Sequence, residues 1–482
     1  MIDSRPVFFI VGILLAIMAA LMVLPAAVDL AAGNPDWAVF ATTAALTLFV
    51  GVSLIIANHG TKLDVQVREA FLLTAVAWTV AAAAGALPLF FSNLDLSVTD
   101  AFFEAASGIT TTGATVIVGL DTAPPGILLW RSLLQMLGGI GFMVLAVAVL
   151  PFLKVGGMQL FRLEFTDKSE KALPRVAQVA SGIAVIYVCL IAIDATILWF
   201  LGMTGFEAVN HAMTTVATAG FSTSDQSIGH FNSVPIEVVT TIFMLLGGLP
   251  FVRYLEFVRG QPGRLWQDSQ IRGFLGLYAV AVLVLVLWRW LESDEPFGKA
   301  LIEVTFNVAS VMTTTGYATT HYEFWGAFAT FVLLCLMVVG ACAGSTAGGM
   351  KIYRLETLYV TAKTQIRSLV QPHALIEPHY AGKALPEAVV NAVLGYFFLF
   401  SVSFVVLALA LGAMGLDFLT ATSGVASALA NVGPGLGPVI GPEGNFSTLP
   451  DGAKWLLSLG MLAGRLELYT MIVLLVPAFW RG

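Results

Sequence analysis

Four segments far apart in the chain each end on a glycine preceded by small or hydroxyl-bearing residues. They are Thr110-Thr111-Thr112-Gly113, Thr218-Ala219-Gly220, Thr313-Thr314-Thr315-Gly316 and Asn431-Val432-Gly433. A cation that leaves water needs oxygens in place of its hydration shell, and a ring of backbone carbonyls supplies them. Glycine permits the backbone conformations that turn successive carbonyls toward one axis. One Thr-x-Gly alone reads as a turn. Four in register read as an ion-selectivity filter, with Thr111, Thr112, Gly113, Thr218, Ala219, Gly220, Thr314, Thr315, Gly316, Asn431, Val432 and Gly433 as the ion-binding positions.

The elements that must position these loops are legible upstream of each glycine. Six residues before it stands a hydroxyl every time: Ser107, Thr214, Ser310 and Ser427. Thirteen before it stand Asp100, Glu207 and Glu303, with Thr420 in the fourth copy. Sixteen before it, Ser97, Thr204 and Asp417 suit a helix N-cap, and the first two make capping boxes with Asp100 and Glu207. Each unit predicts a short helix of roughly a dozen residues, about 18 Å long. That is too short to span a bilayer and fits a re-entrant segment. The third copy has no cap at Ala300, which moves its expected start toward Ser293 to Pro296. Each loop follows the C-terminal end of its helix, where the macrodipole favours a cation. The acids near the opposite ends are expected to compensate the dipole and hold the outer structure.

Of 482 residues, 58% are hydrophobic and only 11% charged, which excludes a single soluble domain and marks a polytopic membrane protein. Apolar runs long enough to span occur near residues 7 to 28, 37 to 57, 70 to 90, 126 to 152, 178 to 201, 234 to 257, 273 to 291, 324 to 350, 388 to 414 and 455 to 479. The first is expected to be a retained span rather than a cleaved signal peptide. With both termini cytoplasmic, eighteen of the 23 lysines and arginines fall on the cytoplasmic side. The four loops then open outward, beneath a mouth carrying Asp95, Asp121, Asp225, Asp294, Glu295, Glu323, Glu443 and Asp451. The net charge of -7 therefore says nothing of nucleic acid, and none is expected as a partner; the partner surface is membrane lipid. Cys189, Cys335 and Cys342 lie in predicted spans and offer neither a disulfide framework nor zinc spacing.

The expected fold is an all-α membrane protein. Residues 1–60 form a two-helix preamble; 61–155, 156–260, 261–370 and 371–482 form four M1-P-M2 repeats around a pseudo-fourfold pore. Loop glycines 107, 96 and 117 residues apart leave room in each repeat for two spans and a re-entrant hairpin. Polar stretches at 154 to 178, 258 to 272 and 351 to 387 are basic cytoplasmic connectors. The histidines are scattered and mostly outside the spans, so no catalytic constellation forms and no enzyme is expected.

Two features fall on the inner half of the pore. The run Gly340 to Lys351 has poor helix propensity, and its centre, Gly344, Ser345, Thr346, Ala347, Gly348 and Gly349, is expected to break the eighth span as a gate. Arg465 lies deep in the last span, where a charge must face a cavity or a partner. Asp194 is also intramembrane, without an assignable partner.

These residues resemble the Trk/Ktr/HKT superfamily of potassium transporters, and most nearly the TrkH-type membrane subunits of bacterial Trk systems. The resemblance runs through Asp100-Ala-Phe-Phe-Glu104, Gly156-Gly-Met-Gln-Leu160, Ala219-Gly-Phe-Ser-Thr223, Gly344-Ser-Thr346, Asn431 to Gly437, Gly464-Arg-Leu-Glu467 and Pro477-Ala-Phe-Trp480. It implies potassium uptake across the bacterial inner membrane by a homodimer, with the potassium ion as cargo and no organic cofactor in this chain. It also implies a gate formed by the loop at 344–349 and Arg465, and a cytosolic TrkA-like nucleotide-binding regulatory subunit. Members with serine for a filter glycine tend to pass sodium, so the four intact glycines imply potassium. A sodium-permeable or proton-coupled transporter of the same fold is the alternative. His321 and Pro250 depart from the usual aspartate and asparagine, which bears on regulation more than on permeation.

Overall fold

The computed structural model describes residues 3–60, 66–148, 172–292, 295–374 and 376–481. Residues 154–171 of the predicted first connector, the Gly156–Leu160 motif, Lys62 and Asp294 lie outside them. Almost everything described is helix. The one sheet among the described residues is a hairpin of two-residue strands, β1 (His379–Tyr380) against β2 (Lys383–Ala384), in the connector before the fourth repeat.

Helices α1 (Arg5–Ala32) and α2 (Trp37–Ala57) form the preamble. They cross at Gly12 and Gly51, where a Cβ on either would lie 2.8 to 2.9 Å from the other's carbonyl oxygen. Small residues at such a crossing let two backbones approach and pack by dispersion where no hydrophobic drive exists. Two acids fasten this hairpin to the first repeat. Asp29 Oδ1 accepts from the Gly126 amide at 2.6 Å, and Asp36 Oδ1 accepts from Asn93 Nδ2 at 2.6 Å.

Four units of span, short helix, loop and second helix follow. The first is α3 (Val67–Phe91), α4 (Val98–Ile109) and α5 (Pro125–Ala148). The second is α6 (Ala172–Phe200), α7 (Gly205–Val216), α8 (Val234–Gly247) and α9 (Phe251–Val258), followed by the connecting α10 (Gly263–Gln267). The third is α11 (Ser269–Glu292), α12 (Phe297–Met312), α13 (Ala327–Val339) and α14 (Ile352–Val370). The fourth is α15 (Glu387–Ala413), α16 (Phe418–Ala430), α17 (Asp451–Arg465) and α18 (Leu468–Ile472), with α19 (Pro477–Trp480) at the end. The short helices are buried over their C-terminal halves, for example Phe103–Ile109 and Ser423–Ala430. The spans around them expose large apolar side chains such as Phe49, Phe200 and Leu409, the face that lipid covers.

Two second helices depart from the continuous spans expected, and a third breaks where the sequence predicts. Residues 234–257 are two helices bent by 93° at Gly248–Pro250, and residues 455–479 are two bent by 113° at Leu466–Glu467. Between 325 and 350 only Ala327–Val339 is helical. Proline removes a donor and clashes with the preceding turn at the first break. At the other two, Gly340 directly after α13 and Glu467 directly before α18 take positive φ, 71° and 66°, which interrupts a right-handed helix.

Candidate functional site

The four short helices start as their caps dictate. Ser97, Thr204 and Asp417 side chains accept from the amides of Asp100, Glu207 and Thr420. Hydrogen bonds from Thr420 hold the Asp417 carboxyl below the usual carboxylate range. Only Thr204–Glu207 is a reciprocal box; at the first helix Asp100 turns instead to Ser97 Oγ and to Lys454, at 2.6 Å. The third helix begins at Phe297, after Pro296. Glu303 pairs with Arg289 and Lys299.

At the other end every loop has one local geometry. The residue two before the glycine is left-handed in all four: Thr111, Thr218, Thr314 and Asn431, with φ 55°, 49°, 58° and 56°. The glycines are left-handed too, at 87°, 76°, 84° and 112°. Between them, the amides of Thr112, Ala219, Thr315 and Val432 donate to the carbonyls of Ser107, Thr214, Ser310 and Ser427 at 2.8 to 3.0 Å. The recurring hydroxyl position is thus an anchor for the loop backbone. Three β-branched threonines are held where such residues rarely go, so the surrounding contacts over-determine the conformation.

The glycines also report how the four loops meet. A Cβ on Gly113 would fall on the carbonyl oxygen of Ala219, one on Gly220 on that of Thr315, and one on Gly316 on that of Val432. On Gly433 it would lie 2.8 Å from the carbonyl oxygen of Thr112. Each glycine therefore abuts the residue before the next glycine, and the series returns to its start. The predicted site residues come together as one closed ring, in chain order.

Above the ring lies an open cavity lined by Gly113, Gly220, Gly316, Arg131, Asp225 and Glu443 among others. Asp225 accepts from the amides of Gly119 and Leu120. His321 lies between Glu323 and Glu443, at 3.2 and 3.0 Å, and so joins the outer segments of the third and fourth repeats.

Sequence reasoning missed a set of clasps that tie each short helix to the chain leaving its loop. Nine residues before the glycine stand Glu104, His211 and Asn307. Glu104 accepts from Thr115 Oγ1 and the Val116 amide, His211 Nε2 bonds Ser222 Oγ, and Asn307 bonds Thr319. The fourth repeat has Gly424 there and uses Ser423 on Leu436 instead. The signal was a polar residue at one offset in three repeats. Arg131, on α5, is buried against Glu104 at 2.7 Å and donates to the Ser222 carbonyl. Removing one partner leaves a buried charge uncompensated. Glu104→Ala is therefore expected to cost about 3 to 5 kcal/mol, seen as a lowered thermal midpoint of the purified protein, whereas exchanging an exposed acid such as Asp95 changes it little.

Directly below the ring, Gly340 to Lys351 runs as irregular backbone, as the sequence predicts. Such backbone at membrane depth requires burial in protein or a polar cavity. Thr346 Oγ1 donates to the carbonyls of Val216 and Gly247 at 3.0 Å and accepts from Thr218. The Gly348 amide donates to Thr314 Oγ1 at 2.7 Å, and the Gly349 amide to the Ala430 carbonyl. Arg465 Nη1 donates to the Thr346 carbonyl at 2.9 Å. Glu467 is bound to Arg354 at 2.6 Å and not to Arg465. Asp194 is buried with no hydrogen-bond partner on either oxygen among the described residues.

A four-membered ring of carbonyl-bearing loops, open above and obstructed below, is suited to dehydrating and passing a cation. The comparisons with known proteins agree with that geometry. The family model for TrkH, described as a cation transport protein, matches residues 37–481. The Trk system potassium uptake protein TrkI of Halomonas elongata is 42% identical over 478 residues, covering 99% of this chain and 97% of that protein. TrkH of Vibrio parahaemolyticus is 41% identical and TrkH of Escherichia coli K12 40%, each over 99% of both chains. The crystal structure of the potassium transporter TrkH from Vibrio parahaemolyticus superimposes with a TM-score of 0.92 at 39% identity, covering 100% of both chains. With that extent of agreement in sequence and in fold, the chain belongs to the TrkH family of cation transport proteins.

Proposed function

We propose that this chain is the membrane subunit of a potassium uptake system, passing potassium inward across the bacterial inner membrane. Its filter is formed by Thr111–Gly113, Thr218–Gly220, Thr314–Gly316 and Asn431–Gly433. The observation that carries the reading is the closed ring in which each glycine makes room for the next repeat's carbonyl. The relatives are by name potassium uptake proteins of Trk systems, which supports potassium as the cargo.

The segment Gly344–Gly349, held by Arg465, closes the pathway below the filter. Its hydrogen bonds to Thr218 and Thr314, residues of the filter itself, support that role. The chain acts as a homodimer with both termini cytoplasmic, and a cytosolic TrkA-like nucleotide-binding subunit moves the gate. Repeats at 61–155, 156–260, 261–370 and 371–482 are its units.

The test is cation flux into liposomes holding only the purified protein, with the membrane potential set independently of potassium, rubidium, sodium and lithium. Uptake of potassium and rubidium well above sodium is expected. Equal uptake of sodium would overturn the selective filter and favour the sodium-permeable alternative.

A further inference from the structure

Two buried cations meet on one aromatic ring below the filter. The Arg465 guanidinium carbon lies 4.1 Å from the centroid of Phe142, and the Lys351 ammonium 5.3 Å from the same centroid. Each also donates to a carbonyl of the intramembrane segment, Arg465 to Thr346 and Lys351 to Ala347. The ring comes from α5 of the first repeat, the arginine from α17 of the fourth, and the lysine ends the third repeat's irregular segment. All three side chains are buried.

The nearby carboxylate, Glu467, is engaged by Arg354. Arg465 Nε and Nη2 have no hydrogen-bond partner among the described residues, so the face of Phe142 and the Thr346 carbonyl are what hold this guanidinium. A desolvated cation over an aromatic face is held more firmly than an exposed one. Lys351 adds strain through its left-handed backbone.

We propose that Phe142 is a gating residue: it is the platform on which Arg465 and Lys351 are held against the Thr346 and Ala347 carbonyls, keeping the segment across the pathway. This rests on the gating reading above and extends it to the first repeat. The ring and the two carbonyls hold the segment through both cations, so loss of the ring, or of either cation, shifts the balance toward opening. A phenylalanine facing the core would otherwise pass as packing alone.

The experiment is rubidium flux into liposomes with the full-length protein alone. Phe142→Leu and Lys351→Gln are each expected to raise flux about fivefold or more, with rubidium-over-sodium discrimination unchanged, while Phe142→Tyr, which keeps the ring, behaves as wild type. Arg465→Ala is measured beside them. Wild-type flux in Phe142→Leu and Lys351→Gln while Arg465→Ala is raised would overturn the platform and leave the gate standing. Wild-type flux in all three would overturn both. If Phe142→Leu does not fold, Lys351→Gln and Phe142→Tyr decide: the first at wild-type flux, or the second raised, defeats the proposal.

Discussion

Gly113→Ser lowers potassium-over-sodium discrimination in the liposome assay by about tenfold or more, equivalent to about 1.4 kcal/mol between the two ions. The cause is steric and local. Gly113 is left-handed at φ 87°, where a side chain is strained, and its missing Cβ is occupied by the Ala219 carbonyl oxygen of the second repeat. A serine there must push that carbonyl, so the damage reaches two quarters of the ring. Carbonyl number and field separate potassium from sodium, and a displaced oxygen changes both. Gly220→Ser acts in the same way on Thr315, and Gly316→Ser on Val432. Gly433 has 2.8 Å to its neighbouring carbonyl, so Gly433→Ser is the mildest of the four. Discrimination equal to wild type in Gly113→Ser would remove these loops from the role of filter.

Arg465→Ala raises flux through the purified protein alone by about ten- to thirtyfold. A unit positive charge about 8 Å from a passing cation opposes it by about 2 kcal/mol at an effective dielectric of 20. Its removal also frees the Thr346 carbonyl, to which Arg465 donates at 2.9 Å. Selectivity should not change, since Arg465 bonds Thr346 and packs on Phe142, both outside the four loops. Flux that stays at the wild-type level would show that neither the charge nor the tether limits conduction. Arg465→Lys separates the two causes: it keeps the charge but loses the planar fork, so a raised flux there assigns the effect to the tether.

The ring of four loops was legible because its constraint repeats. A left-handed residue, a glycine and an anchoring carbonyl six residues back are local requirements, and four copies expose them as a pattern in Ser107, Thr214, Ser310 and Ser427. The clasps were harder to see because Glu104, His211 and Asn307 share polarity but no side-chain type, and the fourth repeat moves the task to Ser423. The breaks after Gly247 and Arg465 were hidden because hydropathy counts residues and ignores dihedral angles. The stretch 455 to 479 reads as one apolar span, yet Glu467 turns left-handed to reach Arg354 on another repeat. The loop at 340–351 was visible only because glycine carries both signals at once, low helix propensity and small size. Which basic residue pairs with which acid, Arg131 with Glu104 or Lys454 with Asp100, depends on tertiary approach and has no counterpart in spacing.

Carrying the whole ring on one polypeptide has a consequence for how it can change. A channel assembled from four identical subunits receives any substitution at four places together, so an intermediate dose never occurs. Here Gly113, Gly220, Gly316 and Gly433 are separate codons, and each abuts a different neighbour. Discrimination between ions can therefore drift in single quarter-steps. The covalent linkage likewise lets the inner halves of the repeats diverge, one helix left without a break through Ala148 and three broken, while the outer ring keeps its fourfold form.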